Sequence, residues 1–347
     1  MKSKKTFLIA IVLISIAFVS CKTRSIRVQL LVPAQISIPQ HIQTIGLLNH
    51  SLADKDQKWN NILEGFITGE SIFADKQASY SALRGCSNKL NQSPRLKSVV
   101  LENENYKGTG TKQFPLPLEW YEVDNLCKKY GVDAIAALET FDSDINTNSG
   151  KNVKNETKDG KNITVTEYWA DLQIRSNAGW RIYDNKNKKI IDENVFTDQK
   201  GWYGVGVNPS DAKGKLPSKR GAVDEAGYFS GEMFAVRISP NWVWATRTYY
   251  SKENDDFKYA VKLVQLKDWK GAAEIWKKYT NWGNQKIAGR ACHNMAVAAE
   301  MEGELKVALD WATKAYRDFN IKSDLNYINL LNTRIIEQDR LKQQMEG

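Results

Sequence analysis

Two short segments of this chain, Asp268-Trp269-Lys270-Gly271-Ala272 and Glu304-Leu305-Lys306-Val307-Ala308, stand 36 residues apart, each between two runs of helical periodicity. A repeat of that length is one helical hairpin, too small to hide its own apolar stripe, so it must stack on a copy of itself or on a cap. Small residues at Ala260, Ala272, Ala296, Ala299, Gly303, Ala308 and Ala315 let antiparallel helices approach to about 8–10 Å, and Leu263, Trp276, Tyr279 and Met295 fill the grooves between them. Leu325, Ile328, Leu331, Ile335 and Ile336, on an otherwise charged last helix, suit the cap. Residues 252–347 are therefore predicted to be helical throughout.

The preceding 210 or so residues read differently. Apolar, β-branched-rich runs at Ile26–Val32 and Ile42–Leu48, separated by Pro33 and Pro39, predict two strands. Ala78, Ala82, Cys86 and Leu90 recur every fourth residue and predict a helix over 75–91; a second helix spans 119–130 and stops at Gly131. The run Val132–Leu138 has the continuous apolarity of a strand covered on both faces. Residues 142–162 turn to Asn, Lys, Asp, Ser and Gly and are expected to form a polar insertion, a mobile hairpin tip. Alternation resumes in an antiparallel meander around Asp184-Asn185-Lys186-Asn187. A Gly-rich loop over 201–221, a helix through Met233 and a closing strand Trp242–Tyr250 are expected to follow. The fold class is α+β: a mixed α/β sheet domain over 41–250, then an all-α region.

At the N-terminus, Lys2, Lys4 and Lys5 precede a 13-residue apolar run, Phe7–Val19, and Ser20-Cys21. The run is shorter than the roughly 20 residues needed to cross a bilayer, and polar Lys22-Thr23-Arg24 follow it at once. Residues 1–20 read as a cleaved signal peptide and 21–40 as a tether with the first strand. The segment Phe18-Val19-Ser20-Cys21 resembles the lipobox of bacterial lipoproteins, with Phe18 in place of the usual Leu. That resemblance implies diacylglycerol on the Cys21 thiol, acylation of its amine, and a stable anchor, because several acyl chains hold far longer than one. Lys22 with no acidic cluster behind it implies an outer-membrane, periplasm-facing position.

The second helical unit resembles a tetratricopeptide repeat, through Met295, Ala296, Ala299, Gly303, Ala308 and Ala315. It departs from that family in its 36-residue period and in Asn284 and Asn320 where a closing proline is usual. The helix-to-strand junction Tyr130–Ile135, and the helix leading to Ser239-Pro240, are similar to envelope lipoproteins of the curli-secretion and penicillin-binding-protein-activator kind. As a whole the chain resembles uncharacterised Bacteroidota-type envelope lipoproteins that join an α+β domain to tetratricopeptide-like helices. What this implies is a non-catalytic adaptor for another envelope protein. In tetratricopeptide proteins the partner lies on the first helix of each pair, which makes Phe257, Val261, Gln265, Arg290, His293, Val297, Glu300 and Met301 the candidate groove; packing of that face on the N-terminal domain is expected ahead of peptide binding, since two repeats have apolar surface to hide.

Other chemistries find little support in the residues. The net charge of +9 is dispersed, and the densest basic stretch, Lys151–Lys161, is interleaved with Glu156 and Asp159, which argues against nucleic acid. His41, His50 and His293 have no metal-ligand spacing, and no GxSxG motif accompanies them, so neither a metal, a cofactor nor catalysis is expected. Cys86, Cys127 and Cys292 are expected as buried thiols. Eleven tryptophans make glycan capture on exposed aromatic faces the alternative reading, and a hydrolase a more distant one, although Trp180, Trp242 and Trp244 sit in apolar strand contexts that suit core packing.

Overall fold

The structure, a computed structural model, describes residues 23–52, 69–110, 112–158 and 160–346. Cys21 and the apolar run before it lie outside the described residues. The fold is α+β, and the described chain divides into two compact units that do not follow chain order. One holds residues 30–243 and 337–346; the other holds 23–29 and 244–336.

The first unit is built on a five-stranded sheet ordered β3-β2-β4-β5-β6, from β2 (Thr44–Asn49), β3 (Lys97–Val100), β4 (Ala134–Lys158), β5 (Lys161–Asp184) and β6 (Lys189–Gly206). β2 runs parallel to β3 and β4, whereas β4, β5 and β6 form an antiparallel meander. On one face lie α1 (Gly69–Leu90) and α4 (Lys219–Ile238). Ala134, Ala136 and Leu138 of β4 and Ala178, Trp180 and Ile182 of β5 meet Leu83, Cys86, Phe234 and Ile238 there, with the Trp180 and Phe234 rings stacked at 4.1 Å. Gly231 sits where α4 crosses α1; a Cβ would come within 1.8 Å of the Ala82 carbonyl oxygen, so the helices meet backbone to backbone. The opposite face is covered by α2 (Trp120–Tyr130), through Val123, Leu126 and Cys127 against Ile135, Ala137 and Tyr183. The apolar run 132–138 is thus buried on both sides, as its composition predicts.

One local expectation is extended and two need correction. The polar hairpin tip expected over 142–162 is the end of a long regular ladder, with cross-strand pairing from Asp142↔Asn177 out to Lys158↔Lys161. Thr and β-branched residues at 147, 153, 157 and 163–166 favour extended backbone, and the ladder satisfies every second N–H and C=O without an apolar core. Gly201–Gly206 is the end of β6, because Gly204 and Gly206 let the strand approach the short helix α3 (Pro209–Gly214). The strand expected to close the sheet domain, β7 (Asn241–Tyr250), instead pairs with β1 (Thr23–Val32) in a separate two-stranded sheet.

The second unit packs residues of β1 and β7 with helices α5 (Asp255–Gln265), α6 (Trp269–Lys277), α7 (Gln285–Met301), α8 (Leu305–Phe319) and the first half of α9 (Asp324–Glu346). Asn254, Asp268 and Asn284 cap α5, α6 and α7 by accepting from N–H groups in the first turn. Phe257, Trp276, Met295, Leu331 and Tyr249 form its core.

Candidate functional site

The helical groove expected from the repeat pattern is filled. Phe257, Val261, His293, Val297 and Glu300 are buried, Arg290 and Met301 are half-buried, and only Gln265 is exposed. β7 lies along α7: the Asn294 side chain accepts from the Tyr250 N–H at 2.8 Å and donates to its carbonyl at 2.7 Å, standing in for a neighbouring strand. The Arg247 guanidinium forks onto both Glu300 carboxylate oxygens at 2.7 Å each, joined by the Tyr327 hydroxyl at 2.5 Å and by Arg334. Burial pushes the Glu300 carboxyl up, but these donors outweigh it and hold it below the usual range. His293 bridges Asp324, at 2.5 Å, and the Thr248 carbonyl, at 2.9 Å. Seven of the eight predicted groove residues therefore serve internal packing, because two hairpins have more apolar and charged surface to hide than they can cover alone. A shallow depression of about 480 Å³ remains, lined by Tyr250, Lys286, Arg290, Phe319 and Lys322, but its Arg290 is paired with Glu253 and lies 4.7 Å over the Tyr250 ring.

The sheet unit also carries a buried charged cluster. Glu139 continues the alternation of Ile135 and Ala137 onto the α2 face of β4, beside the loop before α2, and the register shift to Thr140 follows it. Its carboxylate contacts His50 at 2.6 Å, Arg181 at 3.0 Å and the Tyr183 hydroxyl at 2.9 Å, and Arg181 also donates to Glu193. The second nitrogen of His50 faces the Lys107 carbonyl at 3.1 Å. Tyr183 is pushed up by burial and by Glu139, which leaves it a hydrogen-bonding group and not a base. His50, Glu139, Arg181 and Tyr183 are buried, while Glu193 sits at the exposed edge, and the cluster fastens the loop to the sheet.

Beyond Gly179, where the Phe114 ring lies, and Asp142, which the Lys112 ammonium of the same loop reaches at 3.0 Å, no described residue covers this face of the sheet. It presents Asp142, Asp144, Asn146, Asn148 and Gly150 from β4, Trp169, Asp171, Gln173, Arg175 and Asn177 from β5, and Val195, Thr197, Gln199, Gly201, Tyr203 and Val205 from β6. None of these residues is buried. The polar side chains are tied to one another: Gln173 donates to Asp171 at 2.6 Å, Gln199 to Gln173 at 3.1 Å and Thr197 to Asn177 at 2.7 Å. At one end the Trp169 indole lies over Gly150, where a Cβ would stand 2.7–3.0 Å from three of its ring atoms. The exposed Tyr203 ring is nearly parallel to it, 20° apart with centroids 6.2 Å apart.

The signal for this face was present as a run of alternating polar residues, Asp142 to Gly150 and Asp171 to Asn177, and it was masked because the positions between them are also largely polar in β4. Among the described residues, no group of three or more His, Cys, Asp or Glu side chains is placed to hold a metal ion, and no helix is long and apolar enough to cross a membrane. Cys86, Cys127 and Cys292 are free and buried, and burial pushes Cys127 up to about 12 and Cys292 to about 11.

Two family models match the chain. One, described as a domain of unknown function (DUF8603), covers residues 42–250, more than half of the chain. The other, also a domain of unknown function (DUF6340), covers residues 258–333. No curated protein matches.

Proposed function

The chain belongs to the family of the domain of unknown function DUF8603, and from that premise we propose that it is a non-catalytic binding protein of the cell envelope. A lipid on Cys21 holds it at the outer membrane, facing the periplasm. Its working surface is the open face of β4, β5 and β6, and not the helical groove. The observation that carries this reading is a sheet face that no described residue covers and whose polar side chains are already hydrogen-bonded in place, whereas in the other unit the face of α7 is spent on Tyr250, Arg247 and Asp324. A binding surface held by a rigid ladder loses little entropy when it engages a ligand. The buried carboxylates Glu139 and Glu300 are each neutralised by arginine, which suits structure better than proton transfer.

The test uses full-length protein carrying Cys21→Ala, so that no acyl chain contributes, sedimented with washed envelope fragments. Saturable co-sedimentation should be lost in an Arg175→Ala/Asn177→Ala/Gln199→Ala variant that still unfolds at the parent's temperature, and kept in Gln265→Ala. Loss in Gln265→Ala alone, or equal binding by all three, overturns the reading.

A further inference from the structure

We propose that the open sheet face binds a glycan of essentially uncharged sugar residues, laid along β5 with one ring stacked on Trp169. This deepens the preceding reading and rests on it. The chemistry of the face selects among ligand classes. A lipid or an apolar helix needs a continuous apolar patch, whereas here apolar side chains are confined to Trp169, Tyr203, Val195 and Val205. A stable protein interface likewise needs a dry, aromatic-rich centre with a polar rim, and this face has the reverse arrangement: amides, carboxylates and a hydroxyl in the middle and aromatics at one end. A nucleic acid needs a field of positive charge, but Asp142, Asp144 and Asp171 accompany Arg175. What remains is a ligand rich in hydroxyl groups and poor in charge. Asn, Asp, Gln and Arg can each donate to or accept from neighbouring hydroxyls in pairs.

The aromatic end supplies the second half of such recognition. The ring faces carry partial negative charge, to which the polarised C–H groups on one side of a pyranose are attracted. An indole standing up from the sheet would offer only an edge. Here the absent side chain of Gly150 lets the Trp169 indole close onto β4, and the Tyr203 ring stands nearly parallel to it, 20° apart. From Trp169 to Arg175 the strand advances six residues, about 20 Å, with polar rows on β4 and β6 about 4.8 Å to either side. A short oligosaccharide fits that strip.

The experiment is titration of the purified full-length protein, by calorimetry and tryptophan fluorescence, with cellohexaose, maltohexaose, mannohexaose and chitohexaose, all uncharged. At least one should bind the parent. Trp169→Ala should weaken it by about tenfold or more, Tyr203→Ala by less, and Gly150→Ala should weaken it although every aromatic ring is retained. Trp244→Ala, an exposed tryptophan in the other unit, should leave it unchanged. Absence of binding to the whole panel, or equal weakening by Trp244→Ala, overturns the proposal. If envelope co-sedimentation through Arg175, Asn177 and Gln199 persists in that case, the face is a binding surface for a protein; if it is absent too, the broader reading falls with the glycan.

Discussion

The indole of Trp169 packs against Gly150 of the neighbouring strand, with ring atoms 2.7–3.0 Å from where a Cβ would stand. Two residues nineteen positions apart are thereby matched as ring and recess. A Gly150→Ala protein should fold with stability within about 1 kcal/mol of the parent, since the hairpin is exposed and alanine is the better strand residue. Its near-ultraviolet circular dichroism should change, because the indole must lift away from β4 and from Tyr203. An unaltered aromatic spectrum would show that the recess does not set the ring's pose.

Glu300 is the charge centre of the helical unit, and its loss strands Arg247 in a buried site beside Arg334. Glu300→Ala should cost about 3–5 kcal/mol in urea unfolding. The native carboxyl is held below its ordinary value of 4.5, so the stabilisation is complete above that value and disappears as pH falls through the lower native one. Glu300→Gln should lack that part of the acid sensitivity; an identical pH profile would contradict the assignment.

Asp75 behaves in the opposite sense. Burial raises its carboxyl from 3.8 to about 6, against a lowering hydrogen bond from Ser143 at 2.5 Å, with Asp142 and Asp144 adding to the rise. Folding favours its neutral form, so ionisation costs stability in full above pH 6, and the cost fades as pH falls from 6 toward 3.8. Asp75→Asn should stabilise the protein by about 1–2 kcal/mol at pH 7 and give no gain at pH 3.5, as measured by urea unfolding at both. A loss at pH 7 would place the ionised carboxylate in a stabilising role.

The thiols give a simpler expectation. Cys86, Cys127 and Cys292 are buried and all pushed up, so a thiol reagent should leave the native described fold untouched at pH 8 and modify these three residues once urea unfolds it. Rapid native modification of any one would place it at the surface.

What could be read in the residues was what periodicity encodes. The four-residue spacing from Ala78 to Leu90, the Gly131 stop and the continuous run 132–138 each correspond to an element with the expected burial. So do the two helical turns at Asp268 and Glu304. Over 142–162 a hairpin tip could be read but not the length of its regular ladder, because the stability comes from backbone hydrogen bonds with β5, which leave no apolar signature. That the groove face would be packed followed from its apolar surface; what packs it was hidden for another reason. Asn294 and Glu300 meet Tyr250 and Arg247, 44 and 53 residues earlier, and no local pattern announces a pairing at that separation.

The central claim is that the open sheet face, and not the helical face, is engaged in the envelope. Single cysteines at Gln199→Cys and Gln265→Cys would be reacted with a small maleimide, once in native envelopes and once in detergent-purified full-length protein. The buried native thiols stay silent under these conditions. The account predicts that the cysteine at 199 reacts several-fold more slowly in envelopes than in purified protein while the one at 265 reacts at the same rate in both. Equal rates at 199, or protection at 265 alone, would contradict it.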